Sequence, residues 1–311
     1  MERKLHLAAL LRQKLAHFRT GILMRDIRSE IEKINEIVSL PTVLAEIMGE
    51  LDRGDGATNK INKLIETDPV LTGNVLRAVN SPFYGLRWRV NSVPSAIALL
   101  GLAETSRILV AVYIKQKLFA MNVGQRNVLE TLWKHSINVA AIARLITKEY
   151  GILTGGKEFT AGLLHDMGKI VLVQYFPTEL ETITRMVREL ELNDVQVENQ
   201  IVAISHDEIG GILGERWRLP HEFIEVMKLH HYPSQASLNP ELTTVVRFAD
   251  LLAEHWMCGI GENRPENLFD NDESFGLLAQ HEPRIRAQGF NEVVERLAEK
   301  FVEQKSLVGV F

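Results

Sequence analysis

Three polar residues interrupt an otherwise apolar segment at positions 162–172 (GLLHDMGKIVL). His165, Asp166 and Lys169 lie there within five positions of one another. Burial of such groups without partners costs several kcal/mol, so a partner of opposite charge is expected beside them. A metal ion is such a partner, because a cation offsets the charge of a buried carboxylate.

The same anomaly recurs on four other predicted helices. In each of them a histidine or an aspartate occupies a position of the apolar stripe that a core side chain would normally fill. Imidazole and carboxylate groups that converge from separate helices form the metal sites of helical bundles. The sequence therefore predicts a metal site, and a hydrogen-bonded histidine core without metal is the weaker alternative. The residues concerned are His135, His206, His230 with His231 beside it, and Asp250.

Two neighbouring features support a charged pocket. Lys169 follows Asp166 by about one turn, where its ammonium group can neutralise an oxyanion or a phosphate. Gly168, between them, leaves room for close approach. Ser205 and Glu208 are predicted to form a capping box that begins the helix of His206.

The elements that must position these residues are predicted to be helical throughout, because helical periodicity dominates and no alternating strand pattern is found. We expect an all-α protein with two helical lobes, and we expect residues 162–172 to form one helix of the second lobe. The predicted divisions are an amphipathic N-terminal helix (1–30), a lobe of about five short helices (31–122), a second lobe (123–258), and a loop with a C-terminal helix (259–311).

Composition restricts the class of protein. The 311 residues are 46% hydrophobic and 24% charged, with a net charge of −5, which argues against a dedicated nucleic-acid binder because such proteins are usually basic. The single cysteine, Cys258, suits a reducing compartment. We find no secretory signal, and the longest apolar run, 108–114, is too short to cross a bilayer. A cytoplasmic protein without a membrane span is expected.

Taken together, the motifs resemble a known superfamily. The order of HS at 135, LLHDMGK at 163–169, His206, LHHYP at 229–233 and Asp250 is similar to that of the HD superfamily of metal-dependent phosphohydrolases. The segments LIETDPVLTGNVLRAVNSPFYG and VNSVPSAIALLGLAETSRILVA, which precede them, resemble the HDOD domain, a relative of the HD-GYP domains of bacterial signalling proteins. The resemblance spans about residues 31–258.

This resemblance implies a two-lobed helical HDOD fold whose second lobe is an HD-type bundle. HDOD domains are generally regulatory modules that have lost catalytic residues, yet the positions that match the HD-GYP metal ligands are occupied here. After His231, the segment 232–240 (YPSQASLNP) lacks the HD-GYP turn, which argues against hydrolysis of cyclic dinucleotides. Asp166 and Lys169 are the implied catalytic residues, with Lys169 as a phosphate contact. The implied metal ligands are His135, His165, Asp166, His206, His230, His231 and Asp250.

Arginines near the predicted lobe junction form a second candidate site. Arg77, Arg87 and Arg107, together with Trp88 and Arg89, can bind a phosphate-bearing cofactor or a partner. A solvated face or intramolecular ion pairs are the alternative explanation.

The sequence favours a bacterial signal-transduction module whose pocket binds one or two transition-metal ions. Mixed nitrogen and oxygen ligands suggest iron or manganese, with zinc or nickel as alternatives. The expected partners are a signalling protein and a phosphate-bearing small ligand, such as a nucleotide. An active metal-dependent phosphohydrolase, either a phosphodiesterase or a nucleotidase, is the alternative function.

Overall fold

Short polar residues, proline and glycine determine where the helices begin and end. Ser92 begins one helix by accepting a hydrogen bond from the backbone N–H of Ser95, and Asn239 does the same for Leu242 in another. Gly151 ends the longest of the described helices with a left-handed φ of 73°, a conformation that glycine adopts without strain.

The structure, a computed structural model, describes residues 26–34, 69–81, 84, 86–120, 125–190, 192–256, 269 and 272–304. No strand is found among these residues, so the prediction of an all-α protein is confirmed. The two helices predicted between positions 39 and 68, most of the N-terminal helix, and Cys258 lie outside the described residues. The helices, in chain order, are α1 (Arg28–Lys33), α2 (Pro69–Val79), α3 (Val93–Leu100), α4 (Leu102–Ala120), α5 (Arg126–Tyr150), α6 (Glu158–Leu164), α7 (Met167–Tyr175), α8 (Pro177–Leu190), α9 (Asp194–Ile201), α10 (His206–Arg216), α11 (His221–Leu229), α12 (Pro240–His255), α13 (Ser274–His281) and α14 (Pro283–Gln304).

Helix α5 is the centre of the packing. Its buried side packs against α6 and α12, and α7 crosses α10, which in turn packs on α11. Helices α2, α3 and α4 pack on one another, and α4 also contacts α5 and α6, so one apolar core is continuous through both groups. None of the described helices combines the length and the apolar character that a membrane crossing requires.

Helix α1 packs against the second group of helices. The guanidinium of Arg216 donates to the backbone carbonyls of Ile31 (3.0 Å), Glu32 (2.8 Å) and Ile34 (3.0 Å) at the C-terminus of α1, where carbonyl groups lack their usual helical partners. Arg216 thereby attaches the end of α1 to the end of α10.

Two glycines permit the closest helix contacts near the predicted site. A Cβ atom at Gly162 would lie 2.7 Å from the Cα of Ala140, and one at Gly168 would lie 1.8 Å from the carbonyl oxygen of His206. Only a residue without a side chain fits at either position. The close approach of α7 to α10 brings the segment that carries Asp166 against the start of the helix that carries His206.

Candidate metal centre

Five separate elements bring the predicted ligands to one place. The segment 162–172 is two helices rather than the single helix that we expected, because the chain turns at His165 and Asp166 between α6 and α7. His135 lies on α5 and Asp250 on α12. The other three are at helix ends, where backbone turns aim side chains inward: His206 begins α10, and His230 and His231 follow α11.

Asp166 lies between two groups of histidines. Its Oδ2 atom is 3.6 Å from Nε2 of His135 and 3.5 Å from Nε2 of His165. Its Oδ1 atom is 3.2 Å from Nε2 of His206 and 3.8 Å from Nε2 of His230. The carboxylate of Asp166 therefore faces both groups of histidines, with Oδ2 toward the first group and Oδ1 toward the second.

Asp250 completes the first of these groups. Its Oδ1 atom is 3.1 Å from Nε2 of His135 and 3.7 Å from Nε2 of His165. In the second group, Nε2 of His206 lies 3.4 Å from Nε2 of His230 and 3.0 Å from Nε2 of His231. Each group thus contains at least three side chains whose ligand atoms are close enough to hold one ion.

Hydrogen bonds outside the cluster determine which nitrogen of each ring faces inward. Nδ1 of His165 lies 2.7 Å from the carbonyl oxygen of Gly162, and Nδ1 of His230 lies 3.2 Å from the carbonyl oxygens of Val226 and Met227. A carbonyl oxygen only accepts, so both Nδ1 atoms donate and Nε2 of a neutral ring has a free lone pair.

Glu198 orients His206 in the same way. Its Oε2 atom accepts from the backbone N–H of His206 (2.8 Å) and from its Nδ1 (2.8 Å). The carboxylate of Glu198 therefore supplies the cap of α10, where the sequence predicts a capping box. That prediction is wrong, because Ser205 makes no cap hydrogen bond and its hydroxyl donates to Asp207 instead.

The residues present fit a bound cation. Nε2 of His165 is buried and has no hydrogen-bond partner among the described residues, although two carboxylate oxygens face it. A lone pair that faces anionic oxygens is unfavourable unless a positive charge lies between them. Imidazole nitrogens mixed with carboxylate oxygens are ligands that transition metals prefer.

Burial and neighbouring charges shift the pKa values of the cluster in two directions. Burial lowers the pKa values of His165 and His206, but the nearby carboxylates outweigh burial and raise both. The pKa values of Asp166, Asp250 and His230 shift in the direction that a metal ligand needs. Burial alone would raise the pKa of Asp166, but Lys169, His165 and His206 outweigh it and hold that pKa well below its usual value. Burial alone would raise the pKa of Asp250, but His135 and His165 outweigh burial and hold that pKa well below its usual value. Burial lowers the pKa of His230 well below its usual value. Two carboxylates are therefore ionised, and this imidazole is neutral.

Two cationic side chains border the cluster. Nζ of Lys169 lies 2.9 Å from Asp166 Oδ2 and 2.9 Å from Asp194 Oδ2, so two carboxylates share its charge. Nη1 of Arg247 lies 2.9 Å from Asp250 Oδ2 and 3.0 Å from Nδ1 of His231. Because a guanidinium only donates, Nδ1 of His231 accepts and the proton of its neutral ring is on Nε2.

Sequence reasoning missed Glu198, Asp194, Arg247 and Asp272, all of which contact the cluster or a residue that borders it. Two of them had a readable signal. Glu198 stands between Val195 and Ile201 on the buried side of α9, and Arg247 precedes Asp250 by three positions on one helix. Asp194 and Asp272 are at the borders of helices, where one sequence gives no such signal.

The predicted arginine site is in a different environment. Nη1 of Arg107 lies 3.0 Å from Glu104, and Nη2 lies 3.9 Å from Glu158, within an ion-pair network between α4 and α6. Arg77 on α2 and Arg87 in the following loop are exposed. A phosphate-binding role for these three stays a prediction.

Helices that bury histidines and aspartates around one point define a protein of the HD type. More narrowly, the chain belongs to the HDOD domain family, whose model matches residues 37–233, a range that lies within the one expected from the motifs. This is more than half of the chain, and it includes LLHDMGK at 163–169 and LHHYP at 229–233 but not Asp250.

Several known proteins resemble this chain in structure or sequence. An HDOD domain protein of unknown function from Geobacter sulfurreducens has a TM-score of 0.78 and 27% identity, with 91% of this chain and 96% of that chain covered. A Shewanella amazonensis protein, provisionally described as a phosphohydrolase, has a TM-score of 0.66 and 21% identity, with 90% and 97% covered. A Treponema pallidum protein is 26% identical over 222 residues, and the chain spans 42% of the length of this relative.

Proposed function

We propose that this protein is a cytoplasmic regulatory HDOD module whose pocket binds one or two transition-metal ions. One observation supports this proposal above the others. The Nε2 atoms of His165, His206 and His230 face two buried carboxylates, Asp166 and Asp250, and outside hydrogen bonds keep these nitrogens directed inward.

The proposed ligands form two groups that share Asp166. His135, His165 and Asp250 face its Oδ2 side, and His206 and His230 face its Oδ1 side, with His231 next to His206. Two groups allow one or two ions. Iron or manganese suits the mixture of imidazole and carboxylate best, and zinc or nickel is the alternative.

A regulatory role is favoured over turnover by the state of Lys169. The ammonium group that would contact a phosphate is already paired with Asp166 and Asp194. Apart from His231, all the proposed ligands are also buried, with at most 4% of each residue exposed. This burial restricts the approach of a substrate. We propose that a signalling protein and a phosphate-bearing small ligand are the partners through which the module acts.

Metal analysis of the purified protein tests the proposal. After reconstitution with Fe(II), Mn(II) or Zn(II), we expect about one or two equivalents of tightly bound ion, and we expect Asp166→Ala to abolish this binding. Less than about a tenth of an equivalent in the wild-type protein would overturn the proposal. Unchanged binding by Asp166→Ala would overturn the ligand assignment.

An active phosphohydrolase is the second candidate, favoured by the complete ligand set and by Lys169 beside Asp166. A bound ion of this type lowers the pKa of water and supplies a nucleophile. Asp166 would hold the ion, and Lys169 would bind the phosphate after Asp194 releases it. Turnover of a phosphodiester or a nucleotide by the metal-loaded protein, lost in Asp166→Ala, would replace the regulatory proposal with this one.

A further inference from the structure

A carboxylate from the C-terminal segment reaches the candidate metal centre through one arginine. Oδ2 of Asp272 lies 2.7 Å from Nε of Arg247, and Nη1 of Arg247 lies 2.9 Å from Oδ2 of Asp250. Asp250 is one of the proposed ligands. The chain Asp272–Arg247–Asp250 therefore joins residues that are 22 positions apart, and all three lie beyond the segment that matches the family.

Arg247 forms a hydrogen bond with one carboxylate oxygen of Asp250, so only the other oxygen faces the histidines. The guanidinium holds Oδ2, and Oδ1 faces His135 at 3.1 Å. Nη1 has two hydrogens, and the second is directed to Nδ1 of His231 at 3.0 Å. One buried group thus fixes the orientation of Asp250 and of a neighbouring histidine, because each hydrogen bond of a planar guanidinium has a defined direction.

Asp272 is itself held in place. Its Oδ1 atom accepts from the backbone N–H of Ser274 at 2.8 Å and from the hydroxyl of the same residue. Ser274 begins α13, which packs on α12, and the rings of Phe248 and Phe275 meet there with centroids 5.8 Å apart. Both oxygens of Asp272 are therefore used, one to fix it on α13 and one to fix Arg247.

We propose that Asp272 is a positioning residue of the metal centre and that the C-terminal segment is a functional part of it. This inference rests on the proposed function, since it assumes that Asp250 binds the ion. Asp272 holds Arg247, and Arg247 limits Asp250 to a single coordinating oxygen of fixed direction. Mutation of a residue that orients a metal ligand in this way commonly weakens metal binding by about 10–100-fold.

The test compares Asp272→Ala with Glu282→Gln, a half-buried carboxylate of the same segment that serves as the control. Glu282 accepts from the backbone N–H of Arg284 at 3.0 Å, a hydrogen bond that the amide oxygen of glutamine can also accept. Both variants and the wild-type protein are titrated with Mn(II) and Co(II). We expect Asp272→Ala to weaken binding by about tenfold and to alter the visible spectrum of bound Co(II), which reports ligand geometry. We expect Glu282→Gln to match the wild type in both measurements. Asp272→Asn keeps the shape of the side chain and replaces the alanine variant if that variant does not fold.

The outcomes separate the two proposals. An Asp272 variant with wild-type affinity and a wild-type Co(II) spectrum overturns the inference while the proposed function stands. A wild-type protein that binds neither of these ions, nor Fe(II) or Zn(II), overturns both. Weaker binding by Glu282→Gln, equal to that of Asp272→Ala, would indicate a general loss of charge and would also overturn the positioning role.

Discussion

Glu198 directs His206 with a single oxygen atom, which accepts both the backbone N–H and the ring Nδ1–H of the histidine at 2.8 Å. We expect Glu198→Ala to weaken metal binding by about 10–100-fold, because the ring loses the partner that keeps Nε2 directed inward. Glu198→Gln retains an amide oxygen that can accept, so its loss should be smaller. Isothermal titration with Zn(II) measures both values, and equal affinity of all three proteins would contradict the orienting role.

His230 and His231 are predicted to differ although they are adjacent. The inward nitrogen of His230 has a free lone pair, whereas the inward nitrogen of His231 carries the proton because Arg247 donates to Nδ1. We expect His230→Ala to lose far more affinity than His231→Ala, whose loss should be at most about tenfold. Metal titration tests this, with thermal unfolding of the metal-free variants as the control. A larger loss in His231→Ala would show that His231 is a principal ligand.

Gly168 is predicted to be intolerant of any side chain. Alanine there would place Cβ 1.8 Å from the carbonyl oxygen of His206 and 2.8 Å from the amide nitrogen of Gly210, so α7 and α10 must separate. We expect Gly168→Ala to lower the free energy of unfolding by about 3 kcal/mol. Gly73→Ala is the matched control, since nothing lies within 4 Å of its Cβ and helix α2 should gain about 0.5–1 kcal/mol. Urea denaturation measures both, and equal effects would refute the packing argument.

The ion-pair network around Glu104 predicts a pH dependence of stability. Burial raises the pKa of Glu104, but Arg144 and Arg107 outweigh this effect and lower it, with Tyr84 donating a further hydrogen bond at 3.0 Å. A carboxyl whose pKa is lowered by folding contributes stability above its ordinary pKa of 4.5, and this contribution is lost as the pH falls through the lowered value.

We therefore expect Glu104→Gln to be less stable than the wild type by about 2 kcal/mol at pH 7. The difference should shrink as the pH falls below 4.5. Denaturation at a series of pH values measures it, and exposed Glu189→Gln should differ little from the wild type throughout. A difference that is constant with pH would exclude the ionised carboxylate as its cause.

Helical periodicity and ligand chemistry predicted more of the site than of its surroundings. His135 and Asp250 were recognisable because each interrupts an apolar stripe, and both are buried on their helices. The turn at His165 and Asp166 was not predicted, since an apolar segment that looks continuous gives no sign of where its helix breaks. Tertiary packing of α7 on α10 is what fixes that turn.

The long-range partners could not be predicted for a related reason. The cap of α10 was assigned to Ser205 by its local spacing, whereas Glu198 on the preceding helix supplies the acceptor. Asp272 contacts Arg247 from 25 positions away. Rules for helix caps consider only residues close in sequence, so they cannot predict a hydrogen bond to a carboxylate on another helix.

The enclosure of the ligand atoms has a consequence for how fast an ion could enter or leave. His165, His206 and His230 are fully buried, so exchange would require helices to part for a moment, and its rate would follow local opening rather than affinity. An ion that is taken up while the chain folds would then be exchanged slowly, at the pace of this opening. The metal supply at the time of synthesis would therefore influence which element the protein carries until that exchange is complete.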